Sequence, residues 1–242
     1  MRTIILTALA GAVLIAPAAG QDNCRYEAER TAMIRSSSGD ALRLIARAGS
    51  LTVRGVEGLD EVRVRGRACA SSEDLLDQLV LETDRSGSTI RIEVPDIDEG
   101  SWLSTGNRYA ALHLDIQVPK GMSATIEDGS GNARFEGLGA LRIVDGSGDL
   151  EITDIDGDVD IDDGSGSVRV SGLKGTVRVE DGSGEIDIRD VDGNVMIDDG
   201  SGSIDVRDIA GDFIVRDDGS GGIDYANVTG RVDIPRRERR RR

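Results

Sequence analysis

The tetrapeptide Asp-Gly-Ser-Gly occurs six times in the chain, beginning at Asp128, Asp145, Asp163, Asp181, Asp199 and Asp218. Successive copies lie 17, 18, 18, 18 and 19 residues apart, which is the regular spacing of a repeat architecture. Rows of 18 residues that begin at Gly157, Gly175, Gly193 and Gly211 align aliphatic or aromatic residues in five columns. The repeat therefore restricts the fold more than any other feature of the sequence.

Each row contains two short strands and two corners. Val159 and Ile161 alternate with Asp residues before the Asp-Gly-Ser-Gly corner, and a similar alternation follows it. Alternation with a period of two indicates strands that bury one face. Asp-Gly between such strands also fits an antiparallel meander of hairpins. The second corner favours a solenoid, because the aliphatic residues Ile155, Val191 and Ile209 stand in mid-corner, where only a wrapped coil buries them.

We therefore predict an all-β, single-chain parallel β-solenoid (β-helix) with about 18 residues per coil, preceded by an irregular β segment with one short helix. Four segments are expected: a signal peptide over 1–20, an irregular N-terminal β segment over 21–120 that continues into the solenoid, regular coils over 121–235 and a basic tail over 236–242. Ser71 to Asp74 are typical of a capped helix start, which predicts a helix near residues 72–79. Pro95 to Arg108 are expected to form a long loop.

Two cysteines, Cys24 and Cys69, are the only ones in the chain. An even number of cysteines in an exported protein favours a disulfide, here one that fastens the N-terminal end of the fold. Asn23 precedes Cys24, and this position needs a small residue in a lipoprotein, so a lipid anchor is not expected.

Charge is distributed unevenly along the chain. Residues 121–235 contain 27 Asp and Glu against 9 Lys and Arg, a net charge of -18, whereas Arg236 to Arg242 contain six Arg and one Glu. A body this acidic repels nucleic acid, and an aromatic content of 2% leaves few rings for stacking on bases or sugars. Nucleic-acid binding is therefore excluded as an expected function.

The segment Ile116-Gln117-Val118-Pro119-Lys120-Gly121, followed by coils of the form Gly-Ser-Gly-x-Ile-x-Ile, resembles the bacterial putative-adhesin family of exported β-helix proteins, a domain-of-unknown-function family. The resemblance covers roughly residues 30–235. It implies an envelope or surface protein, with adhesion as the function that the family name suggests.

Acidic residues recur at the first corner of successive coils, and four of them are candidate metal ligands: Asp163, Asp181, Asp199 and Asp218. Stacking at about 4.8 Å would bring like carboxylates together, and a calcium ion between coils would relieve their repulsion with oxygen ligands. The alternative is that Asp and Gly are simply favourable corner residues whose carboxylates are solvated. Both interpretations stay open at the level of the sequence.

No catalytic or cofactor-binding residues are assigned, because no pair of carboxylates is distinguished by its surroundings and the Gly-Ser-Gly segments lead into strands and not into a phosphate-binding helix. The expected function is a non-enzymatic, periplasmic or secreted cell-envelope solenoid that presents repetitive faces for binding or adhesion to a glycan or protein ligand. The alternatives are a structural element that stacks end to end and a calcium-stabilised acidic binding module. No transmembrane segment is expected after the signal peptide.

Overall fold

A computed structural model describes residues 24–97 and 108–235. The predicted signal peptide over 1–20 and the basic tail over 236–242 lie outside the described residues, as does most of the loop predicted for Pro95 to Arg108. The described part of the chain is almost entirely β-structure. Its strands are β1 (Tyr26–Arg35), β2 (Ala41–Ile45), β3 (Leu51–Val56), β4 (Glu61–Ala70), β5 (Glu82–Ser86), β6 (Thr89–Glu93), β7 (Ala110–Pro119), β8 (Ser123–Asp128), β9 (Ala133–Glu136), β10 (Leu141–Asp145), β11 (Leu150–Ile155), β12 (Val159–Asp163), β13 (Gly166–Leu173), β14 (Val177–Asp181), β15 (Gly184–Val191), β16 (Val195–Asp199), β17 (Ser201–Ile209), β18 (Phe213–Val215), β19 (Ser220–Val228) and β20 (Val232–Asp233).

These strands form two ten-stranded sheets. The first sheet has the order β1-β4-β7-β3-β9-β11-β13-β15-β17-β19, and the second has the order β5-β6-β2-β8-β10-β12-β14-β16-β18-β20. From β8 onward the chain alternates between the two sheets, and each strand pairs in parallel with the strand one coil further on. The predicted parallel β-solenoid is confirmed.

The core lies between the two sheets and consists of stacked columns of like side chains. Val159 pairs in register with Val177, and Val168 pairs with Ile186. β-Branched residues of this kind favour strands and pack well on a pleated surface. Each of these side chains is fully buried, so one coil is stable only against its neighbours.

The N-terminal strands belong to the same two sheets, but their order in space differs from their order in the chain. β2 lies between β6 and β8, and β3 lies between β7 and β9. The chain thus places the coil of β2 and β3 first, and later adds one coil on each side of it.

Antiparallel strands close this end of the solenoid, where β1 pairs with β4, β4 with β7 and β5 with β6. The predicted short helix is present as α1 (Glu73–Gln78), and the Ser72 hydroxyl caps it by accepting from the N–H of Leu75 at 3.4 Å. The guanidinium of Arg30 donates to the Leu79 carbonyl at 2.7 Å. A disulfide joins Cys24 to Cys69 and so fastens β1 to β4.

The second corner of each coil depends on one left-handed residue. Asp154, Asp190, Asp208 and Asn227 have φ values of 53°, 57°, 58° and 55°. Asp and Asn tolerate this region better than other residues that carry a Cβ, which explains their recurrence at this position. The next residue, for example Ile155 or Val191, then points into the core, as the sequence predicts.

The second glycine of the repeated tetrapeptide is required by close stacking. Gly148 and Gly166 have φ values of 139° and 141°, and a Cβ on either would overlap the carbonyl oxygen of the equivalent glycine one coil earlier. The corners of successive coils therefore approach each other more closely than any larger residue allows.

The C-terminal end of the solenoid is less well covered. Ile223 and Val228 of β19 are only partly buried and Tyr225 is 47% exposed, whereas residues in the same columns of β17 are buried. β19 is an edge strand of the first sheet and β20 an edge strand of the second. In the described part of the chain, no antiparallel strand closes this end as β1 and β5 close the other.

Candidate functional site

The aspartate that begins each repeated tetrapeptide points into the core. We call these six residues the inner aspartate column: Asp128, Asp145, Asp163, Asp181, Asp199 and Asp218. Their side chains are almost completely buried, and the residues expose between 1% and 7% of their surface. Asp145 pairs in register with Asp128 and with Asp163, and the same register continues through Asp181 to Asp199. The column therefore runs parallel to the solenoid axis, beside columns of aliphatic side chains.

The residue that precedes each inner aspartate faces the opposite way. Asp162, Glu180 and Asp198 are exposed and lie in register with one another, and we call them the outer acidic row. The alternative that the corner carboxylates are solvated is correct for the outer acidic row. It is wrong for the inner aspartate column, because a strand turns successive side chains to opposite faces.

Five of the inner aspartates, Asp128, Asp145, Asp163, Asp181 and Asp199, are incompletely satisfied by hydrogen bonds. Oδ1 of Asp163, of Asp181 and of Asp199 accepts from the backbone N–H two residues further on, at 3.3, 3.1 and 3.0 Å. Oδ1 of Asp128 accepts from the N–H of Gly129 at 2.9 Å. Oδ2 of these four aspartates is buried and has no hydrogen-bond partner among the described residues, and both carboxylate oxygens of Asp145 are in the same state. Repeated buried acceptors of this kind need an explanation, because an unsatisfied polar group is costly in a core.

Burial dominates the protonation of these groups. Loss of solvation, and secondly the neighbouring carboxylate of Asp145, together raise the pKa of Asp128 to about 7. The same two causes, burial first and the carboxylate of the preceding coil second, raise the pKa of Asp163, of Asp181 and of Asp199 to about 6. Burial also raises the pKa of Asp145, while the nearby N–H groups of Gly146 and Ser147 oppose the rise without forming hydrogen bonds of normal geometry.

The four predicted metal ligands, Asp163, Asp181, Asp199 and Asp218, all lie in the inner aspartate column. Within the described ranges, the one group of three or more ligand atoms within 4.8 Å of one another is formed by Cys24, Glu27 and Cys69, and its two cysteines are joined in the disulfide. No three aspartates of the column have ligand atoms within this distance of one another in the described part of the chain, whereas calcium takes six to eight oxygen ligands. Calcium binding stays a prediction, and any ion there would need oxygens from outside the column.

A second set of acids lies at the opposite corner of the coils. Asp154, Asp190 and Asp208 are exposed and occupy the left-handed corner position, and we call them the corner acidic row. Asn227 occupies the same position in the last coil, where its Nδ2 donates to Oδ1 of Asp208 at 2.8 Å. The outer acidic row and the corner acidic row thus place three exposed carboxylates each along two edges of the solenoid.

Charge pairs join neighbouring coils on the outer faces. Arg142 forms an ion pair with Asp160 at 2.5 Å, and Arg134 forms one with Glu151 at 2.6 Å. Both pairs are well exposed, so each contributes a few tenths of a kcal/mol, on the order of 0.5, and helps to keep the register of the coils.

One sequence signal could have identified the inner column. Val159, Ile161 and Asp163 follow each other at a spacing of two, so Asp163 is in phase with the buried face of β12. The same holds for Asp181 in β14 and Asp199 in β16. The corner preference of Asp-Gly conceals this phase.

Among the described residues there is also no helix long and apolar enough to cross a membrane.

One family model and several solved structures are similar to the chain. A family model described as Toastrack DUF4097 matches residues 46–238. No curated protein matches the chain. A solved structure of a putative cell adhesion protein from Clostridium sporogenes is 12% identical, with a TM-score of 0.37, over 86% of this chain and 99% of that chain.

Two further solved structures are similar to the chain. A putative adhesin from Bacteroides fragilis is 12% identical, with a TM-score of 0.44, over 87% of this chain and 98% of that chain. A putative adhesin from Parabacteroides merdae is 9% identical, with a TM-score of 0.26, over 86% and 96% of the two chains.

Proposed function

The chain belongs to the family described as Toastrack DUF4097, and from this premise we propose that it is an exported, non-enzymatic solenoid of the cell envelope that binds a partner on its repetitive outer surface. The observation that carries the proposal is the register of the exposed acids. The outer acidic row presents a charge once per coil, about every 4.8 Å. The corner acidic row does the same between Asp190 and Asp208, and Gly172 takes the position between Asp154 and Asp190.

Such rows favour an extended cationic partner. Residues 121–235 carry a net charge of -18, and their exposed carboxylates lie on ordered strands and corners. A basic peptide segment or a polyamine-like polymer can follow the rows and neutralise several carboxylates at once, which raises both the association rate and the specificity for cationic ligands. Anionic lipids and acidic polysaccharides would be repelled by the same surface.

The two rows can be tested separately with matched variants. The first variant combines Asp162→Asn, Glu180→Gln and Asp198→Asn and removes three charges from the outer acidic row. The second combines Asp154→Asn, Asp190→Asn and Asp208→Asn, which removes three charges from the corner acidic row and keeps a residue that the left-handed position accepts, as Asn227 shows. Because each variant loses the same charge, any difference between them reports position and not net charge.

The measurement is binding of the full chain to an oligolysine peptide, to phosphatidylglycerol vesicles and to neutral glycans at physiological salt. We expect binding to the peptide alone, and a loss of at least about tenfold in one of the two variants, corresponding to about 1.4 kcal/mol. Equal affinities of the unaltered chain and the two variants for the peptide would show that the acidic rows are not the binding surface. Binding to vesicles or glycans that both variants retain would place the site elsewhere.

Self-association is a second candidate, and the edge strand β19 favours it in one form. β19 has nine residues and a single charged side chain, Asp224. The strands at the other end are protected, because β5 has three charged residues among five and β1 has four glutamates and arginines in ten. These edges favour pairing of two copies through their C-terminal ends over an indefinite end-to-end stack.

A charge on the free edge tests this candidate. Gly222→Lys and Ala226→Lys both lie on exposed positions of β19, and Ser203→Lys in the same column of β17 is the matched control. We expect light scattering to detect a dimer of the unaltered chain and of the control, and a monomer of the β19 variant. A monomer in all three samples would contradict the pairing.

A further inference from the structure

Five of the six carboxylates of the inner aspartate column have a buried oxygen that no described group satisfies. Asp128, Asp145, Asp163, Asp181 and Asp199 each have at least one buried carboxylate oxygen without a hydrogen-bond partner. None of the five forms an ion pair within residues 24–97 and 108–235. Five unpaired negative charges in one core column would be very costly, so some ligand has to neutralise part of them.

The surrounding charged groups all point away from the column. At the Asp128 end, Ala46 is the buried neighbour, and the adjacent Arg47 pairs with Asp96. On the strands that carry the column, the other titratable side chains face outward, and so do those of the facing strands. These groups are Glu127, Arg142, Asp160, Asp162, Arg178, Glu180 and Asp198 on the column's own strands, and Arg134, Glu136, Glu151, Arg169, Glu185, Asp187, Arg189, Asp205 and Arg207 on the facing strands.

We propose that the inner aspartate column is a proton-binding site, in which carboxyl groups of successive coils share protons. A protonated carboxyl donates its O–H to a carboxylate oxygen of the next coil, so one proton satisfies two oxygens and removes one negative charge. This chemistry needs two oxygens from neighbouring coils, which is what the register of β10, β12, β14 and β16 supplies. A calcium ion needs six to eight oxygens, and among the described residues no three aspartates of the column have ligand atoms within 4.8 Å of one another.

The arrangement makes proton binding cooperative along the solenoid axis. Each carboxyl has a neighbour in the coil before it and in the coil after it, so protonation of one changes the proton affinity of both neighbours. The column interlocks adjacent coils when it is protonated. When it is ionised, it separates them by repulsion. The same fold is therefore more tightly bound together in a mildly acidic environment than in a neutral one.

Infrared spectroscopy of the full chain with isotope-labelled aspartate tests the proposal, since a protonated carboxyl absorbs apart from a carboxylate. At about pH 5.5, with a metal chelator present, we expect a protonated aspartate band in the native protein and none in the urea-unfolded chain, whose carboxyls titrate near 3.8. The band should decrease as the pH is raised to about 8. Native protein without this band at about pH 5.5 would overturn the proposal.

Two variants locate the protons. Asp163→Asn with Asp181→Asn should reduce the band, whereas Asp162→Asn with Glu180→Gln, on the same two strands, should leave it unchanged. If the column variant does not fold, the comparison between native and unfolded protein still decides the question. Addition of about 1 mM calcium should leave the band intact. Loss of the band on addition of calcium would show that a cation occupies the column in place of the protons.

Discussion

Asp162 and Asp163 are neighbours in the chain, yet the side chain of Asp162 is in solvent and that of Asp163 is buried, with 2% of the residue exposed. The same division separates Glu180 from Asp181 and Asp198 from Asp199. One acid of each pair contributes to the surface charge, and the other contributes to the interior of the solenoid. Substitutions at the two positions should therefore have different physical consequences, although the residues are alike.

The aliphatic columns should not tolerate a charge. Val170 and Ile188 are in register in the middle of β13 and β15, where no turn N–H is available to a carboxylate. Val170→Asp or Ile188→Asp should prevent folding of the regular coils. Asp160→Asn, at an outward position, should cost well under about 1 kcal/mol. Circular dichroism and thermal unfolding check this prediction, and equal melting temperatures for the two classes would contradict it.

Stability should fall as the pH rises from about 5 to about 8. The pKa values of Asp163, Asp181 and Asp199 are raised from 3.8 to about 6, so the folded chain binds protons more tightly than the unfolded chain. The stabilisation that follows is fully present below about pH 4 and is lost as the pH passes through the folded pKa values. We expect the melting temperature to decrease by on the order of 5 °C over this range.

Asp40 gives the stability of the fold the opposite dependence on pH. The N–H of Ser37 and the guanidinium of Arg85 lower the pKa of Asp40, so its contribution is lost as the pH falls below about 4. The most stable range should therefore lie between about pH 4 and about pH 6. Asp163→Asn with Asp181→Asn should flatten the decrease toward pH 8, and an equal slope in the variant and the unaltered chain would contradict the assignment to these residues.

The calcium prediction can be tested on stability alone. If calcium binds at Asp163, Asp181, Asp199 and Asp218, about 1 mM calcium should raise the melting temperature beyond a sodium control of equal ionic strength. Replacement of Asp163, Asp181 and Asp199 together by Asn should abolish the difference. An identical response to calcium and to sodium would contradict calcium binding at the inner aspartate column.

The second corner should discriminate sharply between substitutions at Asp190. Asp190 has a φ of 57° and an exposed side chain, so the backbone conformation alone decides what the position accepts. Asp190→Gly should be neutral or slightly stabilising, and Asp190→Val should cost about 1–2 kcal/mol. Urea unfolding measures both. Asp192→Val, two residues further on in the same corner, is the matched control, and an equal loss there would point to a surface effect.

The disulfide should stabilise the closed end of the solenoid. Cys24 and Cys69 are separated by 45 residues, and the loop closure contributes at most about 4 kcal/mol in the chain-entropy model. We expect neither cysteine to react with a thiol reagent until the protein is reduced, and unfolding of the reduced protein to begin at β1. Free reaction of both thiols in the native protein would show that the bond does not form.

The periodic part of the fold could be predicted from the sequence, since strand alternation, corner glycines and mid-corner aliphatics recur with one period. Ile155, Val191 and Ile209 were decisive, because a residue buried in mid-corner excludes a meander of hairpins. The short helix could also be predicted, because its cap depends on Ser72 and residues close to it in the chain. Local signals of this kind do not need the tertiary structure.

The order of the first coils and the inner direction of the tetrapeptide aspartates were decided only by the tertiary structure. β2 lies between β6 and β8 because sheet pairing depends on contacts between residues far apart in the chain, which no local pattern records. Asp163 shares its tetrapeptide with a solvated turn, and its burial depends on the carboxyl groups that stack before and after it. The local sequence determines which backbone conformations each corner can adopt. The stacking of one coil on the next determines which side chains that corner buries.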